Sequence, residues 1–187
     1  MGDLMTSYLK WRGVPESILG VFRGVGACFG MLGTFLYPFL LAFGQQIHSG
    51  DADALVPIKR AGLVAIWLFA LILTPCAFAF LWSGRASDYV LLGCTALARV
   101  GLWGFDLAET QILQVTVDDM DRGRISSMQA ATHQTFFVVI QIAGMVFHDP
   151  RQFAWLVVYS VITVISAAVI FTLWSQNKVQ RVFSVCA

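Results

Sequence analysis

Charge is what this sequence has least of. Lysine, arginine, aspartate and glutamate together make up 12% of its 187 residues, about half the share of an ordinary soluble domain. That scarcity, beside a hydrophobic share of 58%, excludes a water-soluble globular domain and points to a polytopic membrane protein. The two signs nearly cancel at a net +1, so no nucleic-acid partner is expected. Cysteine is also sparse. Cys28, Cys76, Cys94 and Cys186 form no CxxC pair and no Cys/His metal spacing. Three of them fall in apolar spans, where a thiol acts as a small hydrophobe. No phosphate-binding glycine loop, nucleophile–base arrangement or carboxylate pair suited to hydrolysis is found. The expectation is therefore a transport or channel component, not an enzyme. The opening MGDLMTSYLKWRG lacks the basic start and long apolar run of a secretory signal.

Long apolar runs are abundant, and they define an all-α, polytopic transmembrane helical bundle. Five full spans are drawn near 17–41, 61–82, 89–115, 125–147 and 153–174. Each reaches the ~20 residues that cross ~30 Å of hydrocarbon at 1.5 Å per residue. Trp11, Trp82, Tyr89 and Trp174 near their ends suit the aromatic belt. Residues 1–11 are too apolar for a loop and too short to cross, so they resemble the second half of another span. An upstream portion is the expected completion. Counting lysines and arginines favours a cytoplasmic C-terminus, with Lys59, Arg60, Arg122, Arg124, Lys178 and Arg181 inside. Lys10, Arg12, Arg85 and Arg151 are then outside.

Function is most visible where charge enters the membrane. The stretch Arg99–Gln114 carries Arg99, Asp106, Glu109, Gln111 and Gln114 on one span. A charge at the bilayer centre costs about 2.5–3.5 kcal/mol on insertion scales, so such residues face a pathway or a partner helix. Two readings stand: ion pairing between helices, or the polar lining of a cation path. Arg23 lies about 9 Å into its span. It either snorkels outward or pairs with an interior carboxylate. His133 sits on a wetter face with Gln129, Thr132 and Gln134, and is read as a packing residue or as a metal ligand. Gly20–Gly24 and Gly26–Gly30 have the small-xxx-small spacing of close helix contacts, and Gly33 extends the series. The loop VDDMDRGR puts Asp118, Asp119 and Asp121 at a helix start, where acids suit the positive end. Arg122 and Arg124 are then left available to other partners.

The charged span also carries a signature. The run ARVGLWGFDLAETQILQ (98–114), then VDDMDRGRISSMQ (117–129), then HDPRQF (148–153), resembles the C-terminal half of ferroportin-type iron exporters. LMTSYLKWRGVP, FRGVGACFG and the tail VQRVFSVCA resemble the same family, with its plant-type members nearest. The resemblance implies the C-terminal lobe of a twelve-helix transporter of the major facilitator type. It implies export of ferrous iron or a related divalent metal by alternating access, with the N-terminal lobe as the missing partner and the lipid bilayer as the medium. The iron is substrate, and no cofactor is expected. Vertebrate members place metal-binding cysteine and histidine on the seventh and eleventh helices; the matching positions here are about Asp3 and Ile140. Asp3, an oxygen donor suited to a divalent cation, is the first metal candidate in this lobe, and His133 the second. The acidic loop corresponds to the family's inner gate, which assigns Asp121 and Arg122 to that role.

Overall fold

A computed structural model describes residues 2–46, 55–81, 85–146 and 153–176. These residues form six helices: α1 (Gly2–Trp11), α2 (Glu16–Gln46), α3 (Leu55–Leu81), α4 (Arg85–Thr116), α5 (Asp119–Val146) and α6 (Phe153–Gln176). No strand occurs among the described residues. The helices overrun the expected spans by up to six residues at an end, because a helix persists beyond the hydrocarbon while apolarity does not. Residues 55–60, at the end of the longest expected loop, become the start of α3 for the same reason. Cys186 and the loop residues 47–54 lie outside the described residues.

Four helices combine the length and apolarity of a membrane span: α2 over Glu16–Phe43, α3 over Leu55–Pro75, α4 over Tyr89–Thr116 and α6 over Trp155–Gln176. The span expected at 125–147 differs. Its helix, α5, is 28 residues long, enough to cross, but Ser126, Ser127, Gln129, Thr132, His133, Gln134, Thr135 and Gln141 leave it short of that apolarity. No residue of α5 is buried within this chain.

The turn from α1 into α2 has a specific mechanism. Gly13 adopts φ of 87°, a left-handed conformation that costs an L residue with a side chain roughly 1–2 kcal/mol. Its N–H donates to the Lys10 carbonyl, and the Val14 N–H donates to the Leu9 carbonyl, both at 3.0 Å. This pair of bonds satisfies the last carbonyls of α1 and closes the helix end. Leu9, Val14, Leu19, Leu91 and Leu92 are buried together beneath the turn, which fixes the end of α1 between α2 and α4. Lys10 Nζ also reaches Glu16 Oε1 at 2.6 Å.

α4 is the central helix, flanked by α2 and α3. Against α2 the approach runs through one edge of the glycine series. A Cβ on Gly26 would stand 3.2 Å from Arg99 Nε, one on Gly30 2.8 Å from the Trp103 ring, and one on Gly33 2.6 Å from the Val100 carbonyl oxygen. Against α3, a Cβ on Gly101 would fall 2.7 Å from the Phe69 nitrogen and 2.8 Å from the Ala65 carbonyl oxygen. Ala65, Ala98 and Ala108 are buried along these seams. Small residues permit such approach, and dispersion between closely packed backbones then substitutes for the hydrophobic effect that lipid does not provide. Gly20 and Gly24 share the same spacing, yet nothing lies within 4 Å of either Cβ direction.

α6 packs on α3. Trp67 Nε1 donates to Thr172 Oγ1 at 3.1 Å. Lys59 Nζ lies 4.6 Å from the centre of the Trp174 ring. Phe105 meets Phe171 edge-to-face at 5.2 Å, which brings α4 into the same contact.

Candidate functional site

The two intramembrane arginines come together. Arg23 on α2 and Arg99 on α4 line one pocket of about 50 Å³, with Met5, Thr6 and Leu9 of α1 and Thr95 of α4 around it. Arg99 is half-buried, and its aliphatic stem and Nε lie over Gly26. Ten residues separate it from Tyr89 at the start of the apolar window, so it sits about 15 Å deep. The Thr95 hydroxyl bonds back to the Leu91 carbonyl at 2.7 Å and stands 3.6 Å from Met5 Sδ, which orients it towards α1. Asp3 lies on the first turn of α1; its side chain is outside the described residues.

The acids of α4 do not answer these arginines. Asp106 is exposed, and no described arginine or lysine reaches its carboxylate. Glu109 instead accepts a hydrogen bond from Gln129 Nε2 of α5 at 2.7 Å. The spacing of seven residues between Arg99 and Asp106 spans two turns, too far for the two side chains to bridge along one helix. One turn further, Tyr37 donates to Gln111 Oε1 at 2.7 Å. Tyr37 is buried with Ala61 and Ala108. Sequence reading passed over this bond, although a buried tyrosine within an apolar span usually finds a partner for its hydroxyl.

At the far end of α4 the chain turns into α5 through Asp118. Its Oδ1 accepts the Asp119 N–H at 2.8 Å, and its carbonyl accepts the Arg122 N–H at 3.0 Å. Arg122 is not left available, as the sequence suggested. Its Nη2 reaches Asp119 Oδ1 at 2.7 Å and donates to the Gln114 carbonyl at 3.0 Å. The cause is helical spacing: Asp119 stands three residues before Arg122, on the same face. Arg122 therefore ties the last turn of α4 to the first turn of α5, while its buried Nε has no acceptor. Asp121 and Arg124 are exposed beside it.

Asp119 is exposed and Arg122 only half-buried, so the pair is worth under about 1 kcal/mol. Arg122→Ala should lower the stability of the chain by no more than that, and thermal unfolding in detergent measures it. A larger loss would mean that the Gln114 carbonyl contact closes α4.

His133 is exposed on α5. Among the described residues, no three His, Cys, Asp or Glu side chains come together as a metal cage.

Comparison with known proteins gives this geometry a family. The Ferroportin1 (FPN1) family model matches residues 1–164. The chain belongs to the ferroportin family. It is 35% identical over 176 residues to solute carrier family 40 member 1 of Oryza sativa subsp. japonica, covering 92% of this chain and 34% of that protein. A bacterial homologue of the iron transporter ferroportin, solved in the inward-facing state, matches with a TM-score of 0.82 at 30% identity. The match covers 93% of this chain and 40% of the homologue. An outward-facing structure of a bacterial ferroportin homologue matches with a TM-score of 0.81 at 30% identity, again over 93% and 40%. The chain thus spans between a third and two-fifths of the length of these relatives. Ferroportins are metal transporters rather than enzymes. With its several apolar helices, this member is a multi-pass membrane protein, and its all-α bundle is the fold expected of a major-facilitator-type transporter.

Proposed function

We propose that this ferroportin chain forms one lobe, the C-terminal one, of an exporter of ferrous iron or a related divalent cation working by alternating access. One observation carries the reading. The chain fits the inward-facing and the outward-facing homologue almost equally, with TM-scores of 0.82 and 0.81. A lobe whose internal fold is the same in both states moves as a unit, as rocking-lobe transport requires. The α2–α4–α3 seams supply a physical reason, because backbones in direct contact cannot slide without separating. In this reading Asp106 and the Glu109–Gln129 pair line the cation's route, and Asp3 with His133 are the metal donors of this lobe. Asp121 and Arg122 form the turn at the inner gate, where the exposed Arg124 is the charge available to an N-terminal lobe. Transport then needs both lobes, since substrate binds between them near the midplane.

The test is iron flux. The chain alone in liposomes should admit no more ferrous iron than empty vesicles, read by quenching of an entrapped chelating dye. The chain fused behind the N-terminal half of the rice relative should restore flux. Flux from the chain alone would overturn the two-lobe reading. A correctly inserted fusion without flux would favour a membrane fragment that does not transport.

A further inference from the structure

The pocket between α1, α2 and α4 is built for the wrong sign of charge if metal cations are the only ions this lobe handles. It presents the Arg99 guanidinium, with Arg23 at its edge, to a lining of Leu9, Leu19 and Leu92 together with the hydroxyl-bearing Thr6 and Thr95. Arg99 makes no hydrogen bond or ion pair with any described residue, although it is half-buried and about 15 Å into the membrane span. A guanidinium keeps its charge in proteins. It therefore requires an anionic partner. The two candidate acids on its own helix are accounted for: Asp106 is exposed and Glu109 is bonded to Gln129.

We propose that this pocket binds a small monovalent anion of the carboxylate or halide class, held by the Arg99 fork with Arg23 beside it. The volume sets the size. About 50 Å³ exceeds the ~10–15 Å³ that one water needs in such a cavity, so formate, bicarbonate or chloride fits. The fork of N–H donors on Arg99 matches a carboxylate in two-point geometry. The leucine side chains of the lining lower the local polarity and so strengthen the attraction relative to open water. The anion stabilises the seam where Arg99 crosses Gly26 and brings the net charge of the pocket down beside a cation route.

The experiment uses the 187-residue chain in nanodiscs of neutral phosphatidylcholine. Sodium formate is titrated against sodium gluconate at equal ionic strength, so that screening is common to both. The expected result is a saturable rise in the unfolding midpoint with formate and none with gluconate. The carbon NMR line of labelled formate should broaden with wild-type chain and sharpen when chloride competes. Arg99→Gln should abolish both effects. Arg99→Lys, which keeps the charge and loses the fork, should weaken them at least tenfold in formate concentration. Arg124→Gln, a charge removed outside the pocket, should leave both unchanged. Absence of both effects in the wild type overturns the proposal, as does an equal response in Arg99→Gln. Formate binding that appears only after Asp3→Asn also overturns it, because the chain's own carboxylate then holds the site. None of these readouts involves iron, so failure here leaves the transport reading standing, and failure of transport leaves this one standing.

Discussion

Gly33→Ala should destabilise the chain by about 1–3 kcal/mol, the range for forcing extra atoms into a packed contact, whereas Gly24→Ala should stabilise it. The two residues lie on one helix and the substitution is the same, so intrinsic propensity is held constant. Alanine is favoured over glycine in a helix interior by about 1 kcal/mol. At Gly24 nothing lies within 4 Å of the added methyl, and that gain is realised. At Gly33 the methyl would stand 2.6 Å from the Val100 carbonyl oxygen and 3.2 Å from its Cα. Backbone cannot move aside as a side chain can, so α2 and α4 must separate. Gly26 and Gly30 fall between these extremes. The neighbour of Gly26 is the flexible arm of Arg99, which can yield, while that of Gly30 is the rigid Trp103 ring. The expected order of loss is Gly33, then Gly30, then Gly26, with Gly24 opposite in sign. Unfolding midpoints in a denaturing detergent titration give the order directly. A neutral Gly33→Ala would show that α2 and α4 are not in backbone contact.

Arg99→Met should raise stability in the absence of small anions, by on the order of 1–3 kcal/mol. Sequence reasoning gives the opposite expectation: a midplane arginine is paired, and its loss unfolds the bundle more than loss of Arg85 from its loop. The structure shows no described acid at Arg99, so the substitution removes the cost of holding a charge in the membrane, about 2.5–3.5 kcal/mol at full depth. Methionine retains the unbranched stem that covers Gly26. The value lies below the full insertion cost because Arg99 is only half-buried. Thermal unfolding in gluconate buffer provides the measurement, and a loss of stability would restore a paired arginine. In the fused two-lobe protein the same variant should insert normally, so any change in iron flux would not arise from misfolding.

The six helices were legible in sequence because apolar length is a property of each segment by itself. The charged span and the turn at Asp118–Arg124 were legible for the same reason. What escaped was every property that depends on a neighbour. Gly20–Gly24 and Gly26–Gly30 have identical spacing, and spacing marks a face without saying whether a helix stands opposite. Arg122 looked available because the acids before it were assigned to the helix end, but rotamers placed its Nη2 on Asp119 and on the Gln114 carbonyl. Glu109 looked like a partner for an arginine and was instead reached by Gln129, twenty residues on. The span at 125–147 shows the converse limit. Its helix, Asp119–Val146, is longer than the expected span and starts six residues before it, and its composition stands apart from the other four.

That composition bears on how the chain is made. During synthesis α5 leaves the ribosome before α6, and a helix with so many hydroxyl and amide side chains partitions poorly into lipid when tested alone. α6, which follows after a short connection, is the most apolar of the candidate spans. The two must enter the bilayer as a hairpin, with the second helix supplying the driving force for the first. Truncation after Val146 should therefore leave α5 on the aqueous side of the membrane, where a glycosylation tag at its end would report the side on which it remains.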